Sequence, residues 1–135
     1  MTASSWALQS SIFQALANSP ELTSLLGGER IYSNPPPAAQ FPFITLGQTV
    51  NLDWSTGTED GTEHSLTLHV WSRGGGRKEA VEIMAAARAV LHEAALSLSG
   101  FRLVNLRHEV SEARRDPDGE TYHGIVRFRA VTEPE

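Results

Sequence analysis

The 135-residue chain contains no cysteine. That excludes a disulfide framework, a thiolate zinc site and a thiol nucleophile. Lysine is almost as scarce: ten of the eleven basic residues are arginine, and Lys78 is the exception. Base of any kind is scarce in the first half. Residues 1–72 hold only Arg30, against Glu21, Glu29, Asp53, Glu59, Asp60 and Glu63. The net charge of −5 argues against nucleic-acid binding by bulk charge. No run approaches the roughly 18 apolar residues of a membrane helix. The opening MTASSWALQSSIFQALANSP lacks the basic start and unbroken apolar run of a signal peptide. The expectation is therefore a soluble protein made in the cytoplasm. Hydrophobic residues at 40% and charged residues at 20% are ordinary for one globular domain of this length. There is no internal repeat, and no low-complexity tract beyond Pro35-Pro36-Pro37.

What is present reads as alternating short elements. Trp6, Leu8, Ile12, Phe13, Leu16 and Ala17 recur at helical spacing and predict an amphipathic helix over 5–18. Ser19-Pro20-Glu21 is a second helix start, with Ser19 as cap, Leu22, Leu25 and Leu26 buried, and Gly27-Gly28 as the stop. Arg30-Ile31-Tyr32 is a short extended piece, and the prolines after it form a stiff connector. Strands are expected over 43–52 and 62–72, joined as a hairpin by the polar loop 53–61. In the second strand Leu66, Leu68 and Val70 face one side, and Ser65, Thr67, His69 and Trp71 the other. After three glycines, a helix is expected over 77–98. One of its stripes runs Val81, Met84, Arg88, Leu91, Ala95, Leu98, and the adjacent stripe runs Ile83, Ala87, Val90, Ala94.

Strands over 101–115 and 120–132 flank Asp116-Pro117-Asp118-Gly119. A two-residue loop would pair Val110 with Ile125. A three-residue loop pairs Asp116 with Glu120, Val110 with Val126, His108 with Phe128 and Leu106 with Ala130. The second choice aligns the apolar sets better and suits a turn with Gly119 left-handed. Arms near 13 residues would reach about 40 Å, so the tip is expected to project or to pair outside the subunit. The order helix, helix, strand, strand, helix, strand, strand predicts an α+β fold in one domain, residues 1–135. Its helices pack on one face of a mostly antiparallel sheet that ends in a long hairpin.

Enzyme chemistry is poorly represented. The strand–Gly74-Gly75-Gly76–helix junction is of the kind that can hold phosphate. It lacks both the Gly-Lys-Ser/Thr of a Walker loop and the Gly-x-Gly-x-x-Gly spacing, so a plain crossover explains it better. None of His64, His69, His92, His108 and His123 forms an i, i+4 helical pair. His64 and His69 fall on opposite strand faces. Glu59, Asp60 and Glu63 lie in or beside a loop with little apolar cover to raise a pKa. Asp116, Asp118 and Glu120 are explained by turn chemistry and lack the rest of a calcium loop. No Gly-x-Ser-x-Gly elbow occurs. No catalytic, cofactor or metal site is expected. Trp54 in a polar loop either folds back on the sheet or serves as an interface anchor.

The layout resembles the small tail terminator, or tail completion, proteins of long-tailed phages and related gene-transfer particles. The resemblance rests on Leu22-Thr23-Ser24-Leu25-Leu26-Gly27-Gly28 with Arg30-Ile31-Tyr32, and on Phe41-Pro42-Phe43-Ile44-Thr45-Leu46-Gly47 after the prolines. It continues through Leu66-Thr67-Leu68-His69-Val70-Trp71-Ser72 and the segment from Asp116 to Ala130. A head–tail connector adaptor is the sister reading. A phosphate- or nucleotide-binding domain using Gly74–Gly76 is the more distant one. The resemblance implies a hexameric ring on the tail tube protein, which ends tube polymerisation and meets the head–tail connector. DNA would pass through its lumen without sequence-specific binding. It implies no enzyme activity, cofactor or membrane, and assembly in the bacterial host cytoplasm. Ring contacts join unlike patches. The candidates are the acidic loop residues Asp53, Trp54, Glu59, Asp60 and Glu63, and the arginine-rich group Arg73, Arg77, Arg114 and Arg115 with Asp116 and Asp118. The acidic loop is expected to face the lumen or an axial partner, repelling DNA.

Overall fold

The computed structural model describes residues 3–58, 60–74 and 76–135. In chain order the elements are α1 (Ala3–Ala17), α2 (Pro20–Leu26), β1 (Ile31–Tyr32), β2 (Phe43–Asp53), β3 (Thr62–Ser72), α3 (Gly76–Leu91), β4 (Phe101–Arg115) and β5 (Tyr122–Pro134). The five strands form one sheet in the order β1-β2-β3-β5-β4. Only the β1–β2 pair is parallel. Helix α3 lies across β3, β5 and β4, and α1 and α2 pack against α3. All three helices thus cover one face, the expected α+β arrangement, and the other face is left open.

The local causes are mostly visible. Ser19 caps α2 by accepting the Leu22 amide at 3.3 Å, Pro20 opens the helix, and Gly27 closes it in the left-handed region at φ 82°. Strand β3 alternates along its whole length, burying His64, Leu66, Leu68, Val70 and Ser72 beneath the helices. Opposite Val70, Gly124 on β5 lets α3 approach closely: a Cβ there would lie 2.5 Å from Met84 Sδ. The core runs from Leu8, Ile12 and Leu16 of α1, through Ile83, Ala87 and Leu91 of α3, to Leu68, Leu106, Val126 and Phe128 of the sheet.

Four expectations are corrected. First, α1 buries Ser4, Ser5, Leu8, Ile12 and Leu16, whereas Trp6 and Phe13 are exposed. The Ser5–Leu8–Ile12–Leu16 stripe is narrower than the one drawn from helical spacing, and the two aromatics fall to its side. Second, α3 ends at Leu91, not Leu98. Glu93 takes φ 58°, and its amide donates to the Leu106 carbonyl at 2.7 Å. A tertiary hydrogen bond to β4 there replaces further helix. The buried residues of α3 are Ala80, Ile83, Met84, Ala86, Ala87 and Leu91, with Val81 and Arg88 outside.

Third, the final turn is one residue longer than expected. Asp116 donates to the Thr121 carbonyl at 2.8 Å, leaving four residues between them. Val110 therefore opposes Arg127 instead of Val126. A bulge between His108 and Val110 then restores the expected pairs His108–Phe128 and Leu106–Ala130. Gly119 is left-handed at φ 77°, as the turn required. Fourth, the hairpin does not project. Strand β5 pairs with β3 from Tyr122 to Thr132, so its arm lies inside the sheet.

Candidate functional site

The candidate residues separate to opposite ends of the sheet. Strand β3 spans 11 residues between them, roughly 36 Å at strand rise.

At one end is the β2–β3 loop. Asp53 accepts the Ser55 amide at 3.0 Å, and its hydrogen bonds with Ser55 hold its carboxyl below the usual range. The Trp54 amide donates to the Gly61 carbonyl at 2.9 Å and closes the hairpin. The Trp54 indole leans over Gly61 yet stays about half exposed, so it is both folded back and available. Asp60 is exposed. Glu63 belongs to β3 and pairs with the Arg129 Nε at 2.5 Å, which neutralises it within the subunit. Glu59 lies outside the described residues.

At the other end Arg73 lies 3.9 Å from Asp118, while Asp116 lies 4.0 Å from His123 Nδ1. The Asp118 carboxylate accepts the Thr121 hydroxyl at 2.7 Å and the amides of Glu120 and Thr121 at 2.8 Å each. These bonds, the Thr121 hydroxyl first, lower its pKa to about 2. The Arg73 guanidinium sits 4.4 Å over the Phe41 ring, and its Nε donates to the Thr121 hydroxyl at 3.0 Å. Arg77 lies 5.8 Å over the Tyr122 ring. This group braces the turn. Arg114 and Arg115 are exposed at the end of β4, Arg114 with Glu112 at 3.9 Å.

On the open face, at the end of the sheet that holds Arg73, runs a row absent from the sequence reading. Phe43, Trp71 and His123 lie side by side on β2, β3 and β5. The Trp71 and His123 rings stack at 3.9 Å, and His69 Nδ1 lies 2.7 Å from His123 Nε2. One imidazole must donate and the other accept, so the bond forbids both rings being charged. Burial is the first cause that lowers both pKa values; Arg114 adds to it at His69, and at His123 the facing His69 and Arg114 add to it while Asp116 and Glu112 oppose it. Burial also lowers His64 and His108. With folded values below the ordinary 6.5, protons favour the unfolded chain as pH falls. Stability is full above about pH 6.5 and declines below it. The melting temperature is expected to be lower at pH 5.5 than at pH 7.5, and equal midpoints would contradict this. Gly47 makes the row possible: a Cβ there would lie 2.6 Å from His69 Nε2 and 2.9 Å from the Thr67 carbonyl. Gly47→Ala is expected to displace His69 and cost about 1–3 kcal/mol, measurable by urea unfolding.

Of the glycine crossover, Gly75 lies outside the described residues. Ser72 Oγ donates to Glu79 Oε1 at 2.6 Å, placing a carboxylate in the first turn of α3 where an anion would sit. Among the described residues no group of three or more His, Cys, Asp or Glu is placed to hold a metal.

Sequence reading also missed the sheet edges. Strand β1 covers only Ile44 and Thr45 of β2. Beyond them β2 pairs with β3 alone, and a groove of about 570 Å³ runs along its edge, lined by Trp6, Gln9, Asn34, Gln48, Thr49 and Asn51. Of eight exposed large apolar side chains among the described residues, Trp6, Phe13, Val50, Leu52 and Trp54 lie along this side, and Val104 and Val110 lie on β4, the opposite edge.

Comparison with known proteins fits this architecture. Residues 10–133 match the family described as tail completion protein gp17. The tail completion protein gp17 of Bacillus phage SPP1 is 28% identical over 89 residues, 66% of each chain. A chain of the solved virion of a native gene transfer agent particle is 30% identical with TM-score 0.91, over 98% of this chain and 99% of that one. Another solved structure, 11% identical with TM-score 0.60 over 98% of this chain, shares the fold alone. The chain belongs to the tail completion protein gp17 family and is a structural component of phage-type tails.

Proposed function

We propose that the protein forms a ring, hexameric as in the family it resembles, on the finished tail tube. The ring ends tube polymerisation and offers its other face to the head connector, and the protein acts by assembly, not catalysis. The observation that carries this is the end-to-end likeness, at 30% identity, to a chain of a gene transfer agent virion. Two features support it. The Asp53–Glu63 loop and the Asp116–Asp118 turn lie at opposite ends of the sheet, so each can address a different axial neighbour. Asp53 and Asp60 are exposed beyond the strands, suited to repelling DNA in transit. Assembly takes place in the host cytoplasm, where tube and connector are made.

Electron microscopy of particles produced without this gene tests the reading. Overlong or unjoined tails beside filled, tailless heads are the expected result. Tails of normal length that fail to join heads would favour a connector adaptor. Normal tailed particles would overturn both.

A further inference from the structure

We propose that the open edge of β2 receives β4 of a second copy, so that copies join edge to edge through unlike sides of the same sheet. The joint rests on the ring reading and deepens it by naming the contact. Unpaired strand edges are templates for strand addition, and this sheet has one on each side. On β2 the stretch beyond the Leu46–Thr49 bulge, Thr49 to Asp53, is regular and paired only with β3. On β4 the outward groups near the middle are taken: the Leu106 carbonyl accepts from Glu93, and the His108 amide donates to His92 Nδ1 at 3.0 Å. The stretch beyond the second bulge, Val110 to Arg115, is regular and pairs only with β5. The two free stretches are therefore of similar length.

Their direction follows from topology. Strand β2 is antiparallel to β3, β3 to β5 and β5 to β4, so β4 runs opposite to β2. Rotation about a ring axis to which the strands are inclined keeps that relation: the incoming β4 pairs antiparallel with the neighbour's β2, and the inclination takes up the stagger between Leu52, which is level with Asn105 in its own subunit, and Val110. Side-chain faces then select a register. Val50 and Leu52 lie on the open face with Ser65 and Glu63, and Val110 and Glu112 lie on it with Arg127 and Ile125. Setting Leu52 opposite Val110 aligns two exposed apolar side chains, and it places Asn51 by Ser111 and Thr49 by Ala113.

Composition selects the occupant. The receiving side exposes Trp6, Val50, Leu52 and Trp54 at 60%, 48%, 56% and 49%, a patch of the kind that marks a protein interface. It carries Asp53 and Asp60, and no base lies between Arg30 and Arg73. In this register Arg107 of β4, exposed and 3.9 Å from Glu93, comes toward the end of β2 that carries the acidic loop, whereas Arg114 and Arg115 lie toward Gln48 and Gly47. Unlike surfaces on opposite sides of one subunit give a heterologous contact, which closes into a ring when the rotation allows.

The test uses particles carrying Leu52→Cys/Val110→Cys, treated with a short bis-maleimide. The chain has no other thiol. Loss of the monomer band to a ladder of dimer and larger species is expected, with neither single variant forming it. Thr49→Cys/Ala113→Cys repeats the test away from the apolar pair. Normal tails that contain the doubly substituted protein but yield no ladder from either pair would overturn the joint and leave the tail role standing. Absence of the unsubstituted protein from purified tails, by mass spectrometry, would overturn the ring reading and the joint with it.

Discussion

Phe128→Ala is expected to lower the unfolding free energy by about 3–5 kcal/mol, against a typical domain total of roughly 5–15 kcal/mol. Phe128 heads the fully buried side chains by volume and is completely enclosed. It faces Leu66 on β3 and His108 on β4, whose ring meets it edge-on with centroids 5.8 Å apart. Removing the ring leaves a cavity that two strands and α3 cannot all close upon, because β5 is pinned on both sides. The loss is read from the urea midpoint at constant slope. Phe128→Leu, which keeps most of the volume, is expected to cost about 1.5 kcal/mol or less. A loss below about 1 kcal/mol for the alanine variant would mean that the core repacks around the gap.

The second large effect belongs to His64. This imidazole is buried beneath the helices, with Nδ1 2.6 Å from Asn51 Oδ1 and Nε2 2.8 Å from Thr132 Oγ1. It ties β2, β3 and β5 together at the end of the sheet that carries the acidic loop. His64→Ala creates a cavity and leaves the buried Thr132 hydroxyl without its partner, at an expected cost of about 2–4 kcal/mol. A double-mutant cycle separates the two contributions. Combined with Thr132→Val, the loss should fall short of the sum of the single losses by about 0.5 kcal/mol or more. Strict additivity would show that the 2.8 Å contact carries no coupling. Faster amide exchange in β2 beyond the bulge should accompany the single variant, because that stretch has β3 alone to hold it.

Much of this architecture was legible because its signals are local. Strand β3 was readable to the residue from its alternation, and α2 from Ser19, Pro20 and Gly27, each of which acts within one turn. The features that escaped depend on distant chain. The α3 stripe continues in sequence past Leu91, but the Glu93 amide bonds to Leu106, a partner no helical pattern reveals. The final turn gained a residue because the Asp118 carboxylate gathers Glu120 and Thr121. The His69–His123 contact exists only because β5 crosses over to lie beside β3. Of the candidate interface residues, Trp54, Asp53 and Asp60 are exposed where the loop was expected. Glu63 was read as loop charge, although strand alternation alone could not reveal its bond to Arg129. Trp6 was read as core because an aromatic at helical spacing fits that pattern, and only the packed α1 shows it facing out.

The placement of the tryptophans makes the molecule its own optical reporter. Trp71 is stacked on His123, whereas Trp6 and Trp54 are each about half exposed beside the same strand edge. The emission of the free chain should therefore be long-wavelength and open to collisional quenching by acrylamide. Protonation of the imidazole under Trp71 should dim that one ring. Burial of the β2 edge should shift the other two to the blue. Acidification and assembly would then be distinguishable in a cuvette, one by intensity and the other by colour, with no dye attached.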